Sequence, residues 1–191
     1  MSGSRIQGVS PKEYKGVKYR STLEADTAKV LDLMGIPFEY ETRKFTLLEG
    51  FHCPFQKNKV IAITYKPDFI IGKILIECKG FETPEWKNKK KYLFKYLMEK
   101  EPNLFFHQIK DCGKQLLEAL DTHWISLGYA IQVTSSGTKR KPPETRLFDS
   151  LAQAMEQLNL KGKALGSIKR SLTGEKEFVY GYNWKIVKLS I

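Results

Sequence analysis

The sequence is poor in cysteine and histidine and has no long apolar run. Cys53, Cys78 and Cys112 are an odd number at wide spacing, which fits neither a disulfide framework nor a zinc-ligand pattern and suits a reducing compartment. His52 and Cys53 are adjacent, but no second ligand pair follows, so a zinc centre is not expected. No stretch approaches the roughly 18 apolar residues that a membrane-crossing helix needs, and no membrane partner is expected. The opening MSGSRIQGVSPKEYKG lacks an apolar signal segment, so the expectation is an intracellular, cytoplasmic protein. Acidic residues are also scarce. The 21 Asp and Glu stand against 32 Lys and Arg, a net charge of +11. An excess of that size favours a polyanion partner, of which nucleic acid is the commonest.

What is present is enough apolar and aromatic residue for a real core in a chain of 191 residues, the size of one medium domain with a small appendage. Residues 1 to 18 are rich in Gly, Ser and Lys and read as loose. Ser21 followed by Glu24 is a capping-box pattern that starts a helix near Thr22, with Leu23, Thr27, Val30, Leu31 and Met34 as its apolar stripe. Gly35 ends it, and Pro37 prevents resumption. FEYETRKFTL alternates as a strand, and residues 49–60 read as a loop. IAITYKPDFII and KILIECKG read as two strands joined at Gly72-Lys73. A helix is expected from Pro84 to before Pro102, then a strand NLFFHQIK, a short helix GKQLLEAL and a last strand YAIQVTS. This order predicts an α/β fold with a mixed sheet flanked by helices.

The chemistry concentrates in YKPDFIIGKILIECKG, residues 65–80. Pro67 breaks the first strand just before Asp68. Glu77 and Lys79 are two apart on the second strand and so share a face, while Cys78 points into the core. The hairpin brings Asp68 beside that face, so two carboxylates converge with an ammonium one step further. Two close carboxylates repel, and a hard divalent cation relieves the repulsion by binding both. Mg²⁺ suits such a set, with Mn²⁺ as a substitute, and the Cys78 backbone carbonyl between the two side chains is a further candidate ligand. A lysine beside the ion positions or activates a water and balances phosphate charge. These are the parts needed to hydrolyse a phosphodiester. The bland alternative is a turn-capping Asp68 and an exposed cross-strand pair of Glu77 and Lys79.

Pro67-Asp68 followed by Glu77-Cys78-Lys79 resembles the PD-(D/E)xK nucleases in letters and spacing. With the upstream YRSTLE helix, the strand FEYE, then YKPDF and IECKG, the stretch from Tyr19 to Lys110 is similar to the phage endonuclease I junction resolvases and related phage nucleases. The resemblance implies a restriction-endonuclease-like core. It also implies that Glu24, on the first helix, is a further metal ligand and catalytic residue beside Asp68, Glu77 and Lys79. Read from the residues alone, Glu24 is equally a helix-capping carboxylate. The expected host is a bacterial or phage-infected cell. The lysine-rich helix WKNKKKYLFKYL offers Lys89 and Lys90 as phosphate contacts, with Tyr92, Leu93, Phe94, Tyr96 and Leu97 packing inward.

Composition changes at TSSGTKRKPPET. The division expected is a nuclease domain over 1–135, a basic, Pro-containing linker over 136–145 and a small helical module over 146–191. Residues 139–191 carry eleven Lys or Arg against five Asp or Glu, so +6 of the chain's +11 lies there. Asp149 or Ser150 caps a helix LAQAMEQLNL, and ALGSIKRSL makes a second, a helix-turn-helix pattern. FDSLAQAMEQL, SIKRSLTG and GYNWK resemble the DNA-binding repeat modules of intron- and phage-encoded homing endonucleases, although the turn before Ile168 is longer than theirs. Lys161, Lys163, Ser167, Lys169 and Arg170 are the candidate DNA contacts. The expected activity is a Mg²⁺-dependent, site-specific endonuclease on double-stranded DNA. It would act as a homodimer, because one nuclease domain cuts one strand, and without a small-molecule cofactor. Branched-DNA resolution, a non-catalytic DNA-binding protein and an RNA-processing nuclease are the alternatives.

Overall fold

The structure, a computed structural model, describes residues 12–139 and 141–189. They form two compact units: Phe38–Lys110, and a second that joins the residues before Phe38 to those from Asp111 onward. The whole is mixed α/β, with five α-helices among the described residues. No helix of the described residues is long and apolar enough to cross a membrane.

The second unit begins with a hairpin, β1 (Lys12–Tyr14) against β2 (Val17–Tyr19). Part of the segment expected to be loose is therefore ordered; its first eleven residues lie outside the described ones. Asp32 explains the order, since its carboxylate accepts from the Tyr14 hydroxyl and the Lys15 ammonium, both at 2.7 Å. Asp32 belongs to α1 (Thr22–Leu33), which starts where the capping box predicts. The Ser21 hydroxyl accepts from the Glu24 N–H at 3.2 Å and donates to the Glu24 carboxylate at 2.7 Å. Ala25, Ala28, Val30 and Leu31 give the helix its buried side.

The Phe38–Lys110 unit holds β3 (Glu39–Tyr40), β4 (Phe45–Leu48), β5 (Ile63–Tyr65), β6 (Phe69–Ile71), β7 (Ile74–Cys78), α2 (Pro84–Lys100) and β8 (Phe105–Ile109). Two expected strands are each divided. FEYETRKFTL splits at Glu41, whose φ of 49° turns the chain. IAITYKPDFII splits at Lys66-Pro67, because proline has no N–H to continue a ladder. The division sends β5 to pair with β4, and β6 into a separate sheet of order β3-β6-β7-β8. That sheet is mixed: β6 and β7 are antiparallel across the Gly72-Lys73 turn, where Gly72 has φ 56°, and β7 and β8 are parallel. A parallel neighbour requires a crossover, and α2 supplies it.

The Thr83 hydroxyl caps α2, accepting from the Trp86 N–H at 3.2 Å, with Pro84 in the first turn. Trp86, Leu93 and Leu97 are buried with Phe45, Tyr65 and Leu75 in one apolar cluster. Tyr92 and Phe94, expected to pack inward, instead keep 42% and 43% of their surface exposed. A helix offers the sheet one stripe, and Trp86, Leu93 and Leu97 fill it.

The chain then returns to the other unit with α3 (Lys114–Asp121), β9 (Tyr129–Ser135), β10 (Thr145–Phe148), α4 (Leu151–Gln157), α5 (Leu165–Leu172) and β11 (Tyr182–Lys188). Its sheet has the order β10-β9-β11, antiparallel throughout. The stretch expected as a linker is the connection of the β9–β10 hairpin, tied by the Ser135 N–H to the Glu144 carbonyl at 2.9 Å and the Ser136 N–H to the Gly181 carbonyl at 2.8 Å. Ser150 caps α4, and the Asp121 carboxylate at the end of α3 also accepts from the Leu151 and Ala152 N–H groups. The connection between α4 and α5 contains Asn159 at φ 53° and a 3₁₀ turn over Gly162–Ala164. Buried Trp184 on β11 donates its backbone N–H to the Ser171 hydroxyl of α5 at 3.1 Å.

Removing the α1 cap tests this local account. Ser21→Ala is expected to lower unfolding free energy by about 1 kcal/mol, read as a lower midpoint in urea with unchanged slope.

Candidate functional site

The site grows from the β6–β7 hairpin. Phe69 pairs with Ile76 and Ile70 with Leu75, so one step further Asp68 stands opposite Glu77. Opposite residues on antiparallel strands share a face. This is the face of Leu75, the one packed on Tyr65 and Trp86. Asp68 and Glu77 are both buried, each with 7% of its surface exposed. A carboxylate so enclosed must be hydrogen-bonded or paired. Asp68 Oδ2 accepts from the Cys78 N–H at 2.7 Å. Glu77 Oε2 accepts from the Tyr65 hydroxyl at 2.9 Å. The Asp68 carbonyl accepts from the Glu41 N–H at 3.0 Å, which fixes the backbone after Pro67. The hairpin thus sets the Asp68 carboxylate on the Cys78 N–H and opposite Glu77.

Lys79 leaves the end of β7, where its N–H donates to the Ile109 carbonyl at 2.9 Å. Its ammonium lies over the Trp86 ring, 5.4 Å from the centroid, a cation–π contact. Gln108 on β8 pairs with Glu77. Its amide oxygen accepts from the Trp86 indole N–H at 2.9 Å and from Lys90 at 3.2 Å. Lys90 also pairs with Glu82 at 2.6 Å. The candidate phosphate contact Lys90 is therefore tied to Glu82 and Gln108, while Lys89 is half-buried on the same helix.

Burial pushes the Tyr65 hydroxyl well above the ordinary tyrosine range, and the charge of Glu77, its hydrogen bond to Glu77 and the charge of Asp68 push it the same way. Tyr65 is therefore a neutral donor facing two carboxylates. Sequence reasoning does not single out Tyr65, Trp86 or Gln108. A tyrosine inside a strand needs a partner for its hydroxyl, and that is the signal Tyr65 carries. Gln108 carries none, because its place depends on the β7–β8 register.

Glu24 belongs to the other unit. There its Oε1 accepts from Ser21 and its Oε2 from the Arg20 N–H at 3.1 Å, with 5% of its surface exposed. Capping α1 is what these contacts do. Of the candidate DNA contacts, Lys161 and Lys163 are exposed at the turn before α5, and Arg170 is exposed and 3.8 Å from Glu175. Ser167 and Lys169 are half-buried, and the charge of Lys169 acts on the Cys112 thiol.

Two buried carboxylates and a backbone carbonyl are hard oxygen donors, the set that fits Mg²⁺ rather than a soft metal. Among the described residues no three His, Cys, Asp or Glu side chains gather as a ready metal group. A cation on Asp68 and Glu77 would complete its shell with backbone oxygen, water and substrate phosphate, as Mg²⁺ commonly does. Comparison with protein-family models, with curated proteins and with solved structures finds no match to this chain.

The neutral Tyr65 gives a pH test. A folded pKa above the unfolded value of 10.0 means that the folded state keeps a proton that the unfolded state releases. Stability is full below about pH 10 and falls above it, by up to about 1.4 kcal/mol per pH unit from this one group. Tyr65→Phe is expected to be less stable at neutral pH and to lose that share of the alkaline slope. Urea midpoints between pH 8 and 11 for both proteins check this; identical slopes would contradict it.

Proposed function

We propose that this chain is a divalent-cation-dependent endonuclease acting on double-stranded DNA. The observation that supports the reading most is the pair of buried carboxylates, Asp68 just before β6 and Glu77 on β7, set opposite each other with Lys79 just past the end of β7. A fold that needed only stability would fill such positions with apolar residues. Asp68 and Glu77 would hold Mg²⁺, with Mn²⁺ as an acceptable substitute and the Cys78 carbonyl as a further ligand. The bound ion would polarise the scissile phosphate and make a water nucleophilic. Tyr65 fixes the Glu77 carboxylate, and the Cys78 N–H fixes that of Asp68. Lys79 would orient the attacking water and neutralise charge on the phosphate. Water adds to phosphorus as one ester P–O bond breaks, leaving a phosphate end and a hydroxyl end.

The net charge of +11 supports a DNA partner, and the basic C-terminal region supports a site-specific reading of the homing type. Lys161, Lys163 and Arg170 are its exposed candidates. Double-strand cutting would take two copies, one for each strand.

The test is a cleavage assay with Mg²⁺ on DNA of the source genome, unrelated duplex and a four-way junction. Discrete fragments from one duplex locus are expected. Cutting confined to the junction would move the reading to a branched-DNA resolvase, and no cutting of any substrate would remove the nuclease reading. Asp68→Ala is expected to abolish cutting and keep duplex binding; an Asp68→Ala protein that cuts at the parent rate would refute the metal assignment. Lys79→Met is expected to lower the single-turnover rate about 10²- to 10⁴-fold with little change in affinity.

A further inference from the structure

The long connection between β4 and β5 is a built arm. Beyond the β4–β5 ladder the two strands meet again at Phe51 and Val60, which exchange backbone hydrogen bonds of 3.1 and 2.8 Å. Gly50 permits this pairing. A Cβ there would stand 2.9 Å from the Val60 carbonyl oxygen and 3.1 Å from the Ala62 nitrogen, both backbone atoms. At the tip the Gln56 N–H donates to the Cys53 carbonyl at 3.3 Å, closing a turn with Pro54 and Phe55 at its centre. Proline before the turn's third residue fixes φ. The Gln56 side chain then donates to the Asn58 carbonyl at 2.9 Å. The result of this construction is Phe55 held out with 94% of its surface in solvent. Ile61, two residues before β5, is 84% exposed.

A hydrogen-bonded turn that presents a phenyl ring to water has a cost with no return inside the fold, and such exposed apolar groups mark interaction sites. The charge around it names the partner. From Phe51 to Ala62 the arm carries Lys57 and Lys59 and no carboxylate. We propose that the β4–β5 arm is a duplex-DNA contact: Phe55 wedges at a base step and Lys57 and Lys59 sit on the flanking phosphates. Apolar wedges beside basic residues are how proteins unstack and kink a duplex. A protein partner would more often meet a larger apolar face with its charges at the rim. The inference rests on the reading of the chain as a DNA endonuclease, since it gives that site a means to grip its substrate.

The experiment uses the full wild-type chain with EDTA in place of Mg²⁺, so that the DNA stays intact. Binding of a mixed-sequence duplex carrying 2-aminopurine is followed by anisotropy and by the probe's fluorescence. Adding Phe55→Ala is expected to weaken binding about 5- to 100-fold, the range of aromatic–base stacking, and to abolish the fluorescence rise that unstacking gives. Lys57→Ala with Lys59→Ala is expected to reduce the dependence of log affinity on log salt by about 2. Thermal midpoints equal to the parent's show that the fold is kept. Unchanged affinity and fluorescence in Phe55→Ala would overturn the proposal, and so would a parent that binds no duplex. A changed sedimentation coefficient in Phe55→Ala, with DNA affinity intact, would overturn it in favour of a contact between copies. Failure of the nuclease reading is seen elsewhere, in wild-type protein that binds duplex and never cuts it with Mg²⁺.

Discussion

The hydrogen bond from the Cys78 N–H to the Asp68 carboxylate carries the arrangement on which the rest of the Phe38–Lys110 unit depends. Pro67 ends one ladder and cannot start another. Asp68 follows at once, where the chain passes from the β4–β5 pair into the mixed sheet. Its side chain takes up a backbone donor of β7, so a side chain does there what a ladder carbonyl does elsewhere. The carboxylate is thereby fixed against Glu77. Burying two acids side by side is costly unless each has donors aimed at it. Here one donor is backbone and the other is a phenol kept neutral by its own burial. Tyr65, Leu75 and Trp86 pack the core and wall the carboxylates at the same time.

Much of this was legible in the sequence, for reasons specific to particular residues. The hairpin follows from two apolar runs and a Gly72-Lys73 turn, all local signals. The α1 start follows from Ser21 and Glu24, a pattern confined to one helical turn. The partners of the carboxylates were not legible in the same way. Tyr65 meets Glu77 only because β5 leaves the sheet at Pro67 and folds over it. Gln108 flanks Glu77 only through the parallel register of β7 and β8, which a helix crossover sets and no local pattern encodes. The β1–β2 hairpin escaped because its strands are three residues each and its anchor, Asp32, is a helix residue.

Composition misleads most where flexible and turn-forming residues are the same residues. TSSGTKRKPPET has the letters of a linker and the hydrogen bonds of a hairpin. Its strands flank it: β9 before and β10 after, with β11 on the other side of β9. Strand β9 is thus the centre of a three-stranded sheet, and a chain cut after Ser135 would leave it with neither neighbour. An edge stripped in this way exposes unpaired backbone donors and acceptors. Helices α4 and α5 depend on that sheet too, through Phe148 leading into α4 and the Trp184–Ser171 bond at α5, the helix that carries Lys169 and Arg170. Their charge is presented by a packed unit rather than by a tethered pair of helices.

Strand β5 links the arm to the carboxylates. It returns from the Phe55 turn and ends at Tyr65, whose hydroxyl holds Glu77. Side chains alternate along a strand, so a slip of one residue in the β4–β5 register would turn Tyr65 away from Glu77. The register already shifts between Thr46 and Leu48, and it is pinned at both ends: by the stacked pair of Phe45 and Tyr65 at the core and by Phe51 with Val60 toward the tip. Gly50 secures the outer pin because no side chain fits between its backbone and Val60. The arm and the candidate site are two ends of one constraint, and the same pairing that exposes Phe55 keeps Tyr65 buried against its carboxylate.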